Sequence, residues 1–259
     1  MEFTHPQQSD LPQLQALWQQ AFPQDSPAFA QRFFSLLFRR TNCFVAKEQG
    51  RILSVAYAIP YTARLDNEPH RVAYLYAVAT QKEHRGQGIF AALHRHLCRE
   101  LTHQGYEMLF LIPETPELFS FWLKKMGYHS LFYHRSFFVP SLPPSFRPTP
   151  PDLPLLYSIY CRSQAQSPQF HLELDYASFC LTLEDKHVAL DVENKTAAGY
   201  VIYTPRKEGY VIREYHALGK RKLSGAGRTV RSALAMPLAD RELFDRLYKT
   251  KPRLNFLLN

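Results

Sequence analysis

Cysteine is scarce and scattered. The four in the chain, Cys43, Cys98, Cys161 and Cys180, include no Cys-x-x-Cys pair, which excludes zinc-finger and thioredoxin-like readings. Cys43, Cys98 and Cys180 have apolar neighbours and read as small core residues. No uninterrupted apolar run approaches membrane-spanning length, and the opening Met-Glu-Phe-Thr-His-Pro lacks the pattern of a signal peptide. No basic block is long enough to read as a nucleic-acid arm. The densest, Lys220-Arg221-Lys222, is equally a solvated turn. These absences set the expectation: a cytoplasmic, reducing location, no metal, no membrane and no nucleic-acid partner.

What is present is a chain of 259 residues, enough for one large domain or two modest ones with a real core. Apolar residues at 46% and charged residues at 21% are ordinary for a soluble globular protein. The aromatic share, 14%, is high and points to aromatic-lined clefts or to a core filled with Phe and Tyr. The net charge of +8 favours an anionic partner, such as a nucleotide-like cofactor, without choosing among anions.

Two amphipathic helices open the chain. Leu14, Leu17, Trp18 and Phe22 share one face, with Asp10 expected as N-cap and Pro12 in the first turn. Ser26-Pro27 reads as the cap of a second helix, striped by Phe29, Phe33, Leu36 and Leu37. Extended segments follow at Cys43–Ala46, Ile52–Leu65 and Arg71–Thr80, with Pro60 marking a bulge or an edge. In the last of these, Val72, Tyr74, Tyr76 and Val78 are expected on one face and Ala73, Leu75, Ala77 and Ala79 on the other. A four-residue repeat, Ile89, Leu93, Leu97 and Leu101, then predicts a helix from Gly88 to His103, ended by Gly105. A short strand at Met108–Ile112, a helix at Pro116–Met126 and an extended Tyr128–Val139 complete the first part. The proline-rich 140–152 reads as a connector. Beyond it, helices are expected at Leu153–Arg162, Asp175–Leu183 and Glu242–Tyr248. Strands are expected at His187–Val192, Gly199–Thr204 and Gly209–Leu218, with a turn at Asn194-Lys195 and an apolar tail at Leu254–Leu258.

The chemistry concentrates between Ala77 and Leu93. A strand runs into a loop, His84-Arg85-Gly86-Gln87-Gly88, and the loop opens a helix. Helix N-termini carry unpaired N–H groups and partial positive charge, which together bind an anion. Glycine at 86 and 88 lets backbone approach phosphate oxygens, and Arg85 either braces the loop or reaches a phosphate. A dinucleotide fingerprint fits poorly, because about seven residues separate strand and glycines and the third glycine is missing. A Walker loop is excluded by the absence of Gly-Lys-[Ser/Thr]. Gly225-Ala226-Gly227-Arg228 echoes the pattern, but no strand runs directly into it and it reads as a loop.

Arg85-Gly86-Gln87-Gly88-Ile89-Phe90 resembles the pyrophosphate motif [Gln/Arg]-x-x-Gly-x-[Gly/Ala] of the GCN5-related N-acetyltransferase (GNAT) family. Phe90 departs from the small residue at its last position, as in the branch similar to the tandem-GNAT mycobacterial "enhanced intracellular survival" (Eis) acetyltransferases. The resemblance covers about residues 1–139. It implies an α/β (α+β) fold: a GNAT fold with a mixed, mostly antiparallel central sheet flanked by helices, followed by a second, degenerate GNAT-like domain. The implied domains are 1–139, a connector at 140–152, and 153–259. The sterol-carrier-like domain of longer relatives has no counterpart in the sequence.

By the same resemblance, acetyl-coenzyme A is the acetyl donor and the acceptor is a small-molecule or peptide amine. Val78, Ala79 and Thr80 would meet the thioester and pantetheine, and the N–H groups of Gly86, Gln87, Gly88, Ile89, Phe90 and Ala91, with Arg85, the pyrophosphate. Tyr74 and Tyr76 either line the acceptor cleft or pack in the sheet. The family's usual proton donor, a Tyr, falls at Leu123, which cannot donate a proton. Tyr128 is the displaced candidate, or else a core aromatic. For the base, Glu114 and Glu117 follow the short strand, where each is otherwise a solvated loop or first-turn carboxylate. His84 either touches phosphate or is an exposed loop histidine. A non-catalytic acyl-CoA-binding module, motivated by Leu123, and a nucleic-acid-associated protein, motivated by charge alone, are the competing functions.

Overall fold

A computed structural model describes residues 1–166, 170–184, 186–193, 196–219, 226–239, 241–250 and 252. The expected turn at Asn194-Lys195, the Lys220-Arg221-Lys222 run, Gly225 and the Leu254–Leu258 tail lie outside the described residues. The elements in order are β1 (Glu2–Thr4), α1 (Leu11–Ala21), α2 (Pro27–Leu36), β2 (Cys43–Glu48), β3 (Arg51–Leu65), β4 (Glu68–Thr80), α3 (Ile89–His103), β5 (Met108–Leu111), α4 (Pro116–Lys125), β6 (His129–Val139), β7 (Phe146–Thr149), α5 (Leu153–Ala165), β8 (His171–Glu173), α6 (Tyr176–Thr182), β9 (His187–Glu193), β10 (Thr196–Arg206), β11 (Gly209–Ala217), β12 (Ala226–Pro237) and α7 (Glu242–Thr250).

The chain forms two compact units. The first is Met1–Thr62 with Pro69–Leu131 and Ala233–Thr250. Its strands follow the order β1-β2-β3-β4-β5-β12; β1-β2, β2-β3 and β5-β12 pair antiparallel and β4 runs parallel to β5. The apolar stripe read from the sequence is what closes it: Ile89, Leu93, Leu97 and Leu101 of α3 pack with Phe44, Ala56, Ala73, Leu109, Trp122 and Leu234 in one core. Ser26 caps α2 by accepting from the Phe29 N–H at 3.0 Å. Asp10 does not cap α1 as expected. Its carboxylate turns back to the Gln7 N–H (2.7 Å) and to Lys47 Nζ (2.9 Å), because an ion pair with a neighbouring strand outcompetes a local cap.

Two further differences concern strands. Gly225-Ala226-Gly227-Arg228 was expected as a loop, yet from Ala226 the backbone is β12. Its end pairs with β5, Leu234 opposite Leu111 through Pro237 opposite Met108. Sequence-distant pairing of this kind leaves no local turn signal. Within the proline-rich 140–152, Phe146–Thr149 pairs antiparallel with β9.

The second unit is built from Ala63–Glu68 and Phe132–Ser232. Its centre is the β9-β10-β11 meander, with β7 on β9 and the end of β6 on β11. Val139, Phe146, Ala189, Val201 and Ile212 form its core. Among the described residues no helix is long and apolar enough to cross a membrane.

Candidate active site

The first unit's site begins with a break in a strand. β4 pairs with β5 only from Val72–Met108 to Tyr74–Phe110, although β4 continues to Thr80. β5 ends at Leu111, so β4 runs on past it toward Thr80. On that overhang lies Ala77, whose φ of 45° is in the left-handed region that alanine rarely adopts. Such a residue costs about 1–3 kcal/mol and is kept only where its surroundings over-determine it. It also ends the simple two-face alternation expected along β4: Val72, Ala73, Tyr74 and Leu75 are all buried, while Tyr76, Ala77 and Val78 are partly exposed.

The far end of β4 is tied down. Ser54, fully buried, donates to the Ala79 carbonyl at 3.0 Å, and its hydroxyl lies 2.9 Å from that of Thr80. The Gln81 N–H donates to the Leu53 carbonyl at 2.8 Å. Arg85 Nε donates to the Thr80 carbonyl at 3.1 Å, and Gln87 Nε2 to the Glu83 carbonyl at 3.1 Å. Arg85 thus braces the loop. Gly86 (φ 78°) and Gly88 (φ 75°) both need the left-handed conformation, and a Cβ on either would meet nothing within 4 Å. Gly88 is the N-cap of α3, and no side chain caps it. The N–H groups of Gly88, Ile89, Phe90 and Ala91 hence lack intrahelical partners beside the exposed 85–88 segment. Ile89 is buried in the core. The ring of Phe90 packs edge-on against Trp122 at 5.6 Å, which accommodates bulk at a position expected to be small. His84 is partly exposed in the 3-10 turn ahead of the cradle.

The proton-transfer candidates separate. Tyr128 is 2% exposed, its hydroxyl 3.0 Å from His94 Nε2 in a cluster with Trp122 and Cys98. Burial pushes its phenol far up, and burial pushes the His94 imidazole down to about 4. This is a core position, closed to a substrate, as one of the two readings of Tyr128 expected. Leu123 packs partly buried on the same core. Glu117 lies in the first turn of α4, its carboxyl lowered by its own backbone N–H and then by Thr115, the role of a helix-start charge. Glu114 is exposed, just before the Thr115 cap.

Tyr74 and Tyr76 stack at 5.5 Å. Tyr74 is buried against Phe110 at 5.0 Å, whereas Tyr76, next to Ala77, faces Trp18 (6.0 Å) and Phe33 (5.4 Å). Asp25, which sequence reasoning did not single out, joins this wall: Trp18 Nε1 donates to its Oδ2 at 3.0 Å. Burial raises the Asp25 carboxyl, the Trp18 hydrogen bond opposes, and the charge of Glu114 raises it further, for a net rise. Nothing in the local sequence marks Asp25 apart from other loop carboxylates. Among the described residues no group of His, Cys, Asp and Glu could hold a metal ion.

No curated protein matches the chain by sequence. The structure resembles a probable N-acyltransferase from Enterococcus faecalis, a conserved protein of unknown function, with a TM-score of 0.71 at 16% identity, over 92% of this chain and 72% of that one. A GCN5-related N-acetyltransferase from Anabaena variabilis gives 0.68 at 16% identity, over 90% and 72%. Eis1 from Mycobacterium abscessus gives 0.64 at 14% identity, over 92% and 74%. At such identities these establish the fold. Residues 2–129, just under half of the chain, match the family described as the acetyltransferase (GNAT) domain.

Proposed function

We propose that this chain transfers an acetyl group from acetyl-CoA to the amine of a small molecule or peptide by direct attack. The observation that carries the reading is the run of β4 past the end of β5, through the left-handed Ala77, toward the uncapped start of α3. An extended chain such as pantetheine would lie along Val78, Ala79 and Thr80. The N–H groups from Gly86 to Ala91 receive the pyrophosphate, favoured by the helix dipole. A backbone N–H near Val78 polarises the thioester carbonyl as it gains negative charge. A cytoplasmic location is part of the same proposal, in keeping with four cysteines scattered without a paired spacing. The domain division proposed is a catalytic 1–139, a connector and a degenerate second domain, with the qualification that Ala233–Thr250 pack with the first unit.

One observation favours a second reading. Leu123 is apolar and Tyr128 is sealed in the core, so neither supplies the proton donor, and a module that binds acyl-CoA without turning it over fits that deficit. A thiol-release assay across a panel of amines, run beside calorimetric CoA titration, separates the two. Acetyl transfer to at least one amine is expected. Tight CoA binding with no turnover on any amine would establish the binding module instead.

A further inference from the structure

The acceptor's proton needs a destination. At cytoplasmic pH an alkylamine is mostly ammonium, and only the neutral form attacks a thioester. Tyr128 is closed off, Leu123 has no proton chemistry, and Glu114 stands in solvent. The aromatic wall around Tyr76 offers one more group.

Asp25 lies between α1 and α2. It is partly buried, and the Trp18 indole fixes its Oδ2 at 3.0 Å, leaving Oδ1 to a ligand. The same indole is in ring contact with Tyr76 at 6.0 Å, and Tyr76 precedes the left-handed Ala77. Asp25, Tyr61 and Glu114 lie near enough to Tyr76 to act on its phenol by charge. Neither Asp25 nor Glu114 has a cationic partner among the described residues, in a chain of net charge +8. The Asp25 carboxylate, beside Trp18, Phe33 and Tyr76 and under the charge of the exposed Glu114, is complementary to a cation with an apolar stem.

From this arrangement we infer that Asp25 is the catalytic proton acceptor for the acceptor ammonium, and that Glu114 acts on it by charge. The inference rests on the acetyl-transfer reading. The Asp25 carboxylate takes one proton from R–NH3+, giving R–NH2 and the carboxylic acid. The amine nitrogen bonds to the thioester carbon and the C–S bond breaks. The nitrogen's surplus proton leaves with the thiolate as the CoA thiol, and Asp25 returns its own proton to water. A carboxyl raised above its ordinary range by burial and by Glu114 is a stronger base than one in water.

The test uses the full chain as wild type, Asp25→Asn, Asp25→Glu and Glu114→Gln, with acetyl-CoA and the best amine of the panel. Asparagine can still accept the Trp18 hydrogen bond, so folding, checked by circular dichroism, should survive. Asp25→Asn is expected to lose about 10²-fold or more in kcat/KM with unchanged CoA affinity, and Asp25→Glu to recover part of it. Glu114→Gln should move the acid limb of the pH profile to lower pH, because it removes the charge that raises Asp25. Asp25→Asn turning over within about threefold of wild type, a value well short of general-base losses, overturns the assignment, as does an acid limb indifferent to Glu114. A wild type that binds CoA but acetylates nothing removes the acetyl-transfer reading along with this one, whereas an active Asp25→Asn removes this one alone.

Discussion

Mild acid should loosen the first unit through one residue, His94. It lies on α3 at 4% exposure, ringed by Phe90, Trp122 and Tyr128, with the Tyr128 hydroxyl at 3.0 Å. Burial, with a smaller contribution from Arg95, lowers its imidazole from 6.5 to about 4. In the unfolded chain the same group takes a proton near its ordinary value. The native state therefore binds fewer protons than the unfolded one between these limits, and stability falls with pH there. Above about pH 6.5 both states hold a neutral ring and nothing is lost. At about 1.36 kcal/mol per pH unit, the interval from 6.5 to about 4 amounts to about 3 kcal/mol, a large share of the 5–15 kcal/mol typical of a whole domain. The comparison is with His94→Gln, which keeps an amide for the Tyr128 hydroxyl and cannot titrate. Urea unfolding of both proteins from pH 8 to pH 4 reads the difference. Wild type should fall by about 3 kcal/mol more than the variant, all of it below about pH 6.5. Parallel curves over the whole range would mean that His94 protonates freely in the fold, and the reasoning would be wrong.

Gly88→Ala meets no atom within 4 Å and so should cost only the left-handed backbone penalty, about 1–2 kcal/mol in urea unfolding, while CoA affinity measured by calorimetry drops further than that. An unaltered affinity would separate the loop from the pyrophosphate. Tyr128→Phe removes the His94 partner and should destabilise by about 1–3 kcal/mol, yet leave kcat within about twofold, since a sealed hydroxyl supplies none of the proton transfer. A hundredfold loss of kcat would return the acid role to Tyr128.

The parts legible in the sequence are those whose cause is local. The α3 stripe, the Ser26 cap and the need for glycine at 86 and 88 each follow from spacing or from a backbone angle that one residue type adopts. Asp25 was not legible, because its distinction lies in the hydrogen bond from Trp18 and the charge of Glu114, which comes from a distant part of the sequence. The left-handed Ala77 was hidden for a different reason: Val72–Ala79 alternates as a flat strand would, and alanine at positive φ carries no compositional sign. Asp10 shows the converse, a good local cap signal overruled by Lys47 on β2.

The pairing of β12 with β5 sets a clock on synthesis. Leu111 leaves the ribosome well over a hundred residues before its partner Leu234, an interval of about 6–25 s at 5–20 residues per second. Through that time β5 has β4 on one side and an open row of backbone donors and acceptors on the other, an edge that invites foreign strands. The acetyltransferase sheet is therefore finished last, by the stretch translated after the whole β9-β10-β11 meander. A nascent chain stalled between those points, or a truncation that keeps only the family-matched residues, would be aggregation-prone for want of a single four-residue strand pairing.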